Sequence, residues 1–267
     1  ETTVGKVWYF GWITAVSTGL GVVPFLVFPE FNKFWMGLSN AAAGGMMLAA
    51  SLSLANEGIY FEEELKGSEL LATIDLSNTT LRVAAGCLVG VGFIICTKAV
   101  LDAYELEDVK NSIDVTSFRK MTLIIFVMTL HSLTEGVGIG VSFGGKRGLQ
   151  LGQFISLSLA VHNVPEGLAV ALVLCARKVS KLRAGLWAIF TSLPQPLMAV
   201  LAFLFVESFV WVLPSGLGFA AGAMAYVAVF ELIPEAVEDT SILATSIATG
   251  IAFAGMLVIQ EAVRMTV

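Results

Sequence analysis

The sequence predicts an all-α, polytopic membrane protein of eight spanning helices, and three observations carry that expectation. The 267-residue chain is 57% hydrophobic and only 13% charged, with a mean hydropathy of +0.85, outside what a water-soluble domain sustains. Between its charge clusters lie eight mostly apolar stretches of about 20 residues, the length a helix needs to cross about 30 Å of hydrocarbon. Those stretches lack both the polar face of a soluble amphipathic helix and the short alternation of barrel strands, so helices are the spanning form.

The spans follow in order, and together they make residues 1–267 one transmembrane unit. Val7–Phe28 is bounded by Lys6 and Glu30, and Phe34–Ala55 starts after Lys33 and stops before Glu57. Val83–Leu101 lies between Arg82 and Asp102, and Met121–Phe143 follows Arg119 and Lys120. Gly152–Ala176 comes after the short Gly144-Gly145-Lys146-Arg147-Gly148 turn and ends at Arg177. Ala184–Val206 begins after Arg183, Val212–Ile233 ends among Glu231, Pro234 and Glu235, and Ile242–Val263 begins beyond Asp239.

Two connections are long. Glu57–Leu81 carries Glu62, Glu63, Glu64, Glu69 and Asp75, and Asp102–Lys120 is of mixed charge. Both read as solvated linkers, with attraction of cations to a pore mouth as the alternative for the acidic one. Lys33, Lys98, Lys110, Arg119, Lys120, Arg177, Lys178, Lys181 and Arg183, nine of the 15 basic residues, follow odd-numbered spans. That bias places both termini outside the cytoplasm or in a lumen. Because the sequence starts at Glu1 rather than Met, a preceding signal or transit segment is compatible with it, and plasma membrane and organelle both stay open. Cys87, Cys96 and Cys175 show no CxxC spacing and read as small core hydrophobes.

Inside the spans the polar residues carry the chemistry. His131-Ser132-Leu133-Thr134-Glu135-Gly136 in the fourth span and His162-Asn163-Val164-Pro165-Glu166-Gly167 in the fifth repeat one H-x-x-x-E-G pattern, and these are the only two histidines. A four-residue step puts His and Glu on one helix face about 6 Å apart along the axis. Each His lies ten residues into its span, about 15 Å deep, near the bilayer centre. With the short turn between them, the two helices are antiparallel neighbours whose motifs can face each other. Ionisable groups at that depth cost several kcal/mol unless paired, hydrated or bound to metal, and a cation accounts for all four. Imidazole and carboxylate suit zinc and its first-row neighbours, and no midplane cysteine cluster points to copper(I). Pro165 adds to this reading by freeing the Val161 carbonyl beside His162. The bland alternative is that the pairs hydrogen-bond one another and glue two helices.

These motifs resemble the fourth and fifth transmembrane helices of the ZIP (Zrt/Irt-like) metal transporter family, especially its GufA-like and ZupT-like branches. Ser17-Thr18-Gly19-Leu20-Gly21, Ala43–Ser51, Ala221–Tyr226 and Glu231–Ala236 are similar to family segments as well. The resemblance implies a 3+2+3 arrangement with inverted repeats and two adjacent metal positions. Met47, His131, Glu135, His162 and Glu166 would line the first; Ser132, Asn163 and Gln195, with the glutamates bridging, would line the second. By itself Met47 reads as packing. The chain departs from the pattern at Gln195, where the related branch often has Glu, and at Phe230, where a glutamate commonly precedes Glu231, so the second position is short of negative charge. Glu231 and Glu235 read either as interfacial anchors or as metal exit ligands.

The expected activity is transmembrane transport of a divalent transition-metal cation, zinc first, with iron, manganese and cadmium sharing the ligand set. Two carboxylates close together in a dry site repel, so the empty transporter holds at least one proton that the dication displaces. Gly44, Gly45, Gly136, Gly138, Gly140, Gly167, Gly218 and Gly222 suit close packing or rocking of helix groups. A metal sensor or scaffold without flux and an intramembrane metalloenzyme are the rivals; the second lacks an H-E-x-x-H motif or a third strong ligand. No resident cofactor and no nucleic-acid partner are expected. The partners are the cation and the lipid bilayer, and a homodimer stays open.

Overall fold

In the computed structural model the described residues, 2–27, 32–65, 78–103, 115–144, 148–205, 209 and 211–266, form helices and turns with no strand among them. Eight helical segments among them are long and apolar enough to cross a membrane. They are labelled α1 (Val4–Val27), α2 (Lys33–Tyr60), α3 (Thr79–Val100), α4 (Ile124–Ser142), α5 (Gly148–Cys175), α6 (Lys181–Leu204), α7 (Leu213–Asp239) and α8 (Ile242–Ala262). Every expected span overlaps one of them.

The helices outrun the apolar stretches. That of α2 continues to Leu65, so the first part of the connection expected from Glu57 is helical, in a run of glutamates and leucine that favours helix where water replaces lipid. Glu69 and Asp75 fall in residues 66–77, outside the described residues, as do 104–114 and 145–147. The helix leading into α4 already begins at Val115, within the second expected loop.

Three segments are interrupted. α1 tightens into a 3-10 turn at Gly19–Val22, α6 breaks between Thr191 and Pro194, and α7 widens into a π turn at Ala228–Leu232 ahead of Pro234. Proline lacks the donor that continues a helix, and such breaks survive in a membrane where neighbours take over the released backbone groups. Pro165, by contrast, is accommodated within an α-helix running unbroken from Gly148 to Ala176.

Packing sorts the helices into two groups. α1 packs on α5 and α6, and α4 packs on the same two; α2 packs on α7 and α8, and α3 on α7. The groups meet where α2 and α8 reach α5 and where α4 reaches α7. Apolar burial gains little between helices already in lipid, so close backbone approach and interhelical hydrogen bonds hold such a bundle. The Ser51 hydroxyl donates to the Ala221 carbonyl of α7 at 2.6 Å, and on α3 and α7 a Cβ at Gly86 or Gly222 would run into the Ser215 or Cys87 carbonyl.

α5 is the centre: 72% of its apolar window is buried, against 22% for α3 and 11% for α8. Leu81, Leu88 and Val89 of α3 and Leu243, Ile247, Ile251 and Val258 of α8 point outward, a surface suited to lipid tails. Cys96, expected in the core, is exposed on α3 because that helix is peripheral; Cys87 and Cys175 are half-buried.

A candidate metal centre between α4 and α5

The glycine that ends each motif has a steric reason. A Cβ on Gly136 would collide with the Gln195 carbonyl of α6, and one on Gly167 with the Thr18 carbonyl of α1. Bare positions there let α6 and α1 press against the turns that carry Glu135 and Glu166. The Thr134 hydroxyl donates back to the His131 carbonyl of its own helix at 2.7 Å.

His131, Glu135 and Glu166 converge. Their exposures are 1%, 0% and 1%, and one ligand atom from each lies within 4.8 Å of the others. His131 Nε2 stands 2.9 Å from Glu166 Oε1 and 3.3 Å from Glu135 Oε1. Neither approach has hydrogen-bond geometry, because both histidine nitrogens, Glu135 Oε1 and both Glu166 oxygens lack a hydrogen-bond partner. Ser132 Oγ, His162 Nδ1 and Asn163 Oδ1 are in the same condition. Among the described residues, all such orphaned buried side-chain atoms belong to these two motifs. An unpaired buried polar atom costs about 1–3 kcal/mol, more when charged, so this concentration calls for a ligand. Zinc held tetrahedrally at 2.0–2.2 Å puts neighbouring ligand atoms about 3.4 Å apart, close to the two separations found here.

An amide relay flanks the cluster. Asn163 Nδ2 donates to the Thr14 carbonyl at 2.8 Å and to Gln195 Oε1 at 3.0 Å, and the Gln195 amide nitrogen in turn donates to Glu135 Oε2. The break before Pro194 sets Gln195 in the first turn of the second half of α6, facing α4. Thus Asn163 and Gln195 are brought to the cluster as hydrogen-bonding groups, and each spends its N–H donors on protein acceptors. Ser132 is fully buried beside His131, and Met47 is fully buried in the core on α2.

His162 stands apart from the three. Its Nε2 is hydrogen-bonded to the side-chain amide of Gln260 on α8, to which Ser53 of α2 also donates, at 2.5 Å. Sequence reasoning passed over Gln260 and Ser53. The available signal was an amide within the otherwise apolar last span, a residue type that rarely faces lipid unsatisfied.

Lys98 and Glu231 also differ from expectation. Lys98, counted with the loop cations, lies within α3 and pairs with Glu231 at the π turn of α7, its ammonium 5.6 Å from the Tyr226 ring centre. Glu231 is therefore an interhelical ion-pair partner, with a tethered cation already beside it.

The profile of the ZIP zinc transporter family matches residues 101–260. The chain is 42% identical over 259 residues to a candidate zinc transporter of Arabidopsis thaliana, covering 96% of this chain and 38% of that protein. It is 32% identical over 225 residues to the zinc transporter GufA of Myxococcus xanthus, covering 84% of this chain and 85% of that one. The zinc transporter ZIPB of Bordetella bronchiseptica is 31% identical over 116 residues, 43% of this chain and 37% of its own length. The chain thus spans well under half of the Arabidopsis protein and most of the Myxococcus one. The family profile takes in both H-x-x-x-E-G motifs, all of α4 to α7 and most of α8, more than half of the chain, and on that match the chain belongs to the ZIP zinc transporter family.

Proposed function

We propose that this chain moves a divalent transition-metal cation, zinc first, across the bilayer through a centre built on His131, Glu135 and Glu166. The observation that carries the reading is the set of orphaned imidazole and carboxylate atoms buried between α4 and α5 at ligand spacing. One histidine and two carboxylates form a borderline donor set suited to zinc. The names of the Arabidopsis and Myxococcus relatives support the same metal. Residues 1–267 act as one transporter unit in this reading. His162 and Met47 complete the first position as the ion moves. Ser132, Asn163 and Gln195 line a second position that holds a cation more weakly, because Gln195 offers an amide donor to Glu135 where a carboxylate would add charge.

An inverted repeat belongs to the proposal. Exchanging α1 with α6, α2 with α7, α3 with α8 and α4 with α5 turns the packed pairs α1–α5, α2–α8 and α2–α5 into α6–α4, α7–α3 and α7–α4, which are packed pairs too. That pattern supports a 3+2+3 arrangement. A homodimer, if formed, would be sought on the outward apolar faces of α3 and α8.

The test is zinc uptake by the purified chain in proteoliposomes. Accumulation in the lumen is expected, it is lost in His131→Ala, and zinc titration in weak buffer releases at least one proton per ion because the dication displaces the proton shared by the two glutamates. Lowering the pH slows uptake, since protons then compete for the same oxygens. Zinc that binds without accumulating would replace the transporter by a sensor or scaffold. Uptake indifferent to pH and a titration with no proton release would remove the exchange.

A further inference from the structure

A cavity of about 380 Å³ opens between α2, α5 and α8, with Ser53, Glu57 and Tyr60 of α2, Phe154 and Ser158 of α5 and Gln260 of α8 among its lining. Phe154, Ser158, His162 and Glu166 follow one another at intervals of four. One stripe of α5 therefore leads from the cavity wall past His162 to the metal centre, about 6 Å per step. Between cavity and centre sits Gln260, 9% exposed, its Oε1 held by the Ser53 hydroxyl at 2.5 Å and its amide nitrogen on His162 Nε2. His162 Nδ1 has no partner, so the ring is held from one side only, by the amide between it and the cavity.

We infer that Gln260 is a displaceable cap on His162, and that His162 is the relay through which a divalent cation passes between this cavity and the His131–Glu135–Glu166 cluster. The inference rests on the transporter reading above. An ion arriving in the cavity takes the Nε2 lone pair as the amide swings away, and rotation of the Gln260 side chain then offers it the carbonyl oxygen as a second ligand. Zinc and its neighbours accept an imidazole nitrogen with an oxygen, whereas an alkali cation gains little from the nitrogen, so the exchange favours the transition metal. Once the ion has moved one helical turn to Glu166, Gln260 returns to the ring and closes the path behind it. Ser53 is a positioning residue that sets the amide's resting orientation.

Because His131 and His162 are the only histidines, acylation by diethyl pyrocarbonate, resolved by peptide mass spectrometry on the detergent-purified full chain, reads each ring separately. Gln260→Ala should raise the acylation rate of His162 roughly tenfold, the scale of one lost hydrogen bond, and leave His131 unchanged. Ser53→Ala, which loosens the amide without removing it, should raise it by roughly two- to threefold. Zinc should suppress acylation of the exposed His162 in both variants. In proteoliposomes the wild-type protein should accumulate zinc. An unchanged His162 rate in Ser53→Ala and Gln260→Ala, or in Ser53→Ala alone where Gln260→Ala does not fold, overturns the cap. Faster acylation of His162, shielded by zinc in a protein that accumulates none, leaves the cap standing and overturns the transporter reading instead.

Discussion

Glu166→Gln separates charge from shape at the candidate metal centre. The amide matches the carboxylate in size, and both Glu166 oxygens lack a hydrogen-bond partner, so no protein donor is stranded by the change. What disappears is one of the two carboxylates, 2.9 Å from His131 Nε2 at a fully buried position. Removing one partner of a buried ion pair costs about 3–5 kcal/mol, and each 1.4 kcal/mol is tenfold in affinity, so the zinc dissociation constant should rise roughly 10²- to 10³-fold. The same loss appears in thermal unfolding. Zinc at about 1,000 times the wild-type Kd stabilises the folded protein by about 4.1 kcal/mol, and a thousandfold weaker site at the same concentration keeps only about 0.4 kcal/mol. Competition titration with a zinc chelator and melting with and without zinc would measure both quantities in detergent. A variant that holds zinc within about threefold of wild type, with its zinc-induced rise in Tm intact, would show that the ion does not sit on Glu166.

Gly167→Ala places a methyl on the Thr18 carbonyl, a backbone atom that no rotamer change can move, and should lower stability by about 1–3 kcal/mol. Gly250→Ala, in open space on α8, should be neutral or stabilising by up to about 1 kcal/mol, and equal melting shifts for the two would refute the close α1–α5 contact. Lys98→Met leaves Glu231 without its ammonium and, for a pair that is only part-buried, should cost about 1–3 kcal/mol. Lys98→Met with Glu231→Gln should recover most of that loss in a thermal melt, and a double variant no more stable than the single one would mean that the pair is not coupled.

How much was legible in the sequence follows from what each signal depends on. Span number, helical class and the two motifs depend on local composition and spacing, so all were readable before any contact was known. Span ends were less readable, because Leu65 and Val115 continue helices where hydropathy has already fallen and only helix propensity decides. The partners of buried polar groups were not readable at all. Lys98 looked like a loop cation because its acidic partner lies 133 residues away, on a π turn that no local pattern announces.

The two motifs make the same point more sharply, since they share their spacing and yet do different things. Their symmetry is a property of helix geometry: four residues separate His from Glu in both, and a glycine follows in both to admit a neighbouring backbone. The asymmetry comes from which backbone that is. At Gly136 the neighbour is α6, which delivers Gln195 to Glu135; at Gly167 it is α1, whose Thr14 carbonyl engages Asn163 and leaves Glu166 without a donor. Between the histidines, only His162 meets α8, and with it an amide that occupies Nε2. Equivalent ligands in the sequence thus become inequivalent in the fold, with His131 fixed beside both carboxylates and His162 held toward a cavity. The proposed path across a bilayer needs that difference, because an ion bound by four equal ligands at one depth would have nowhere weaker to go.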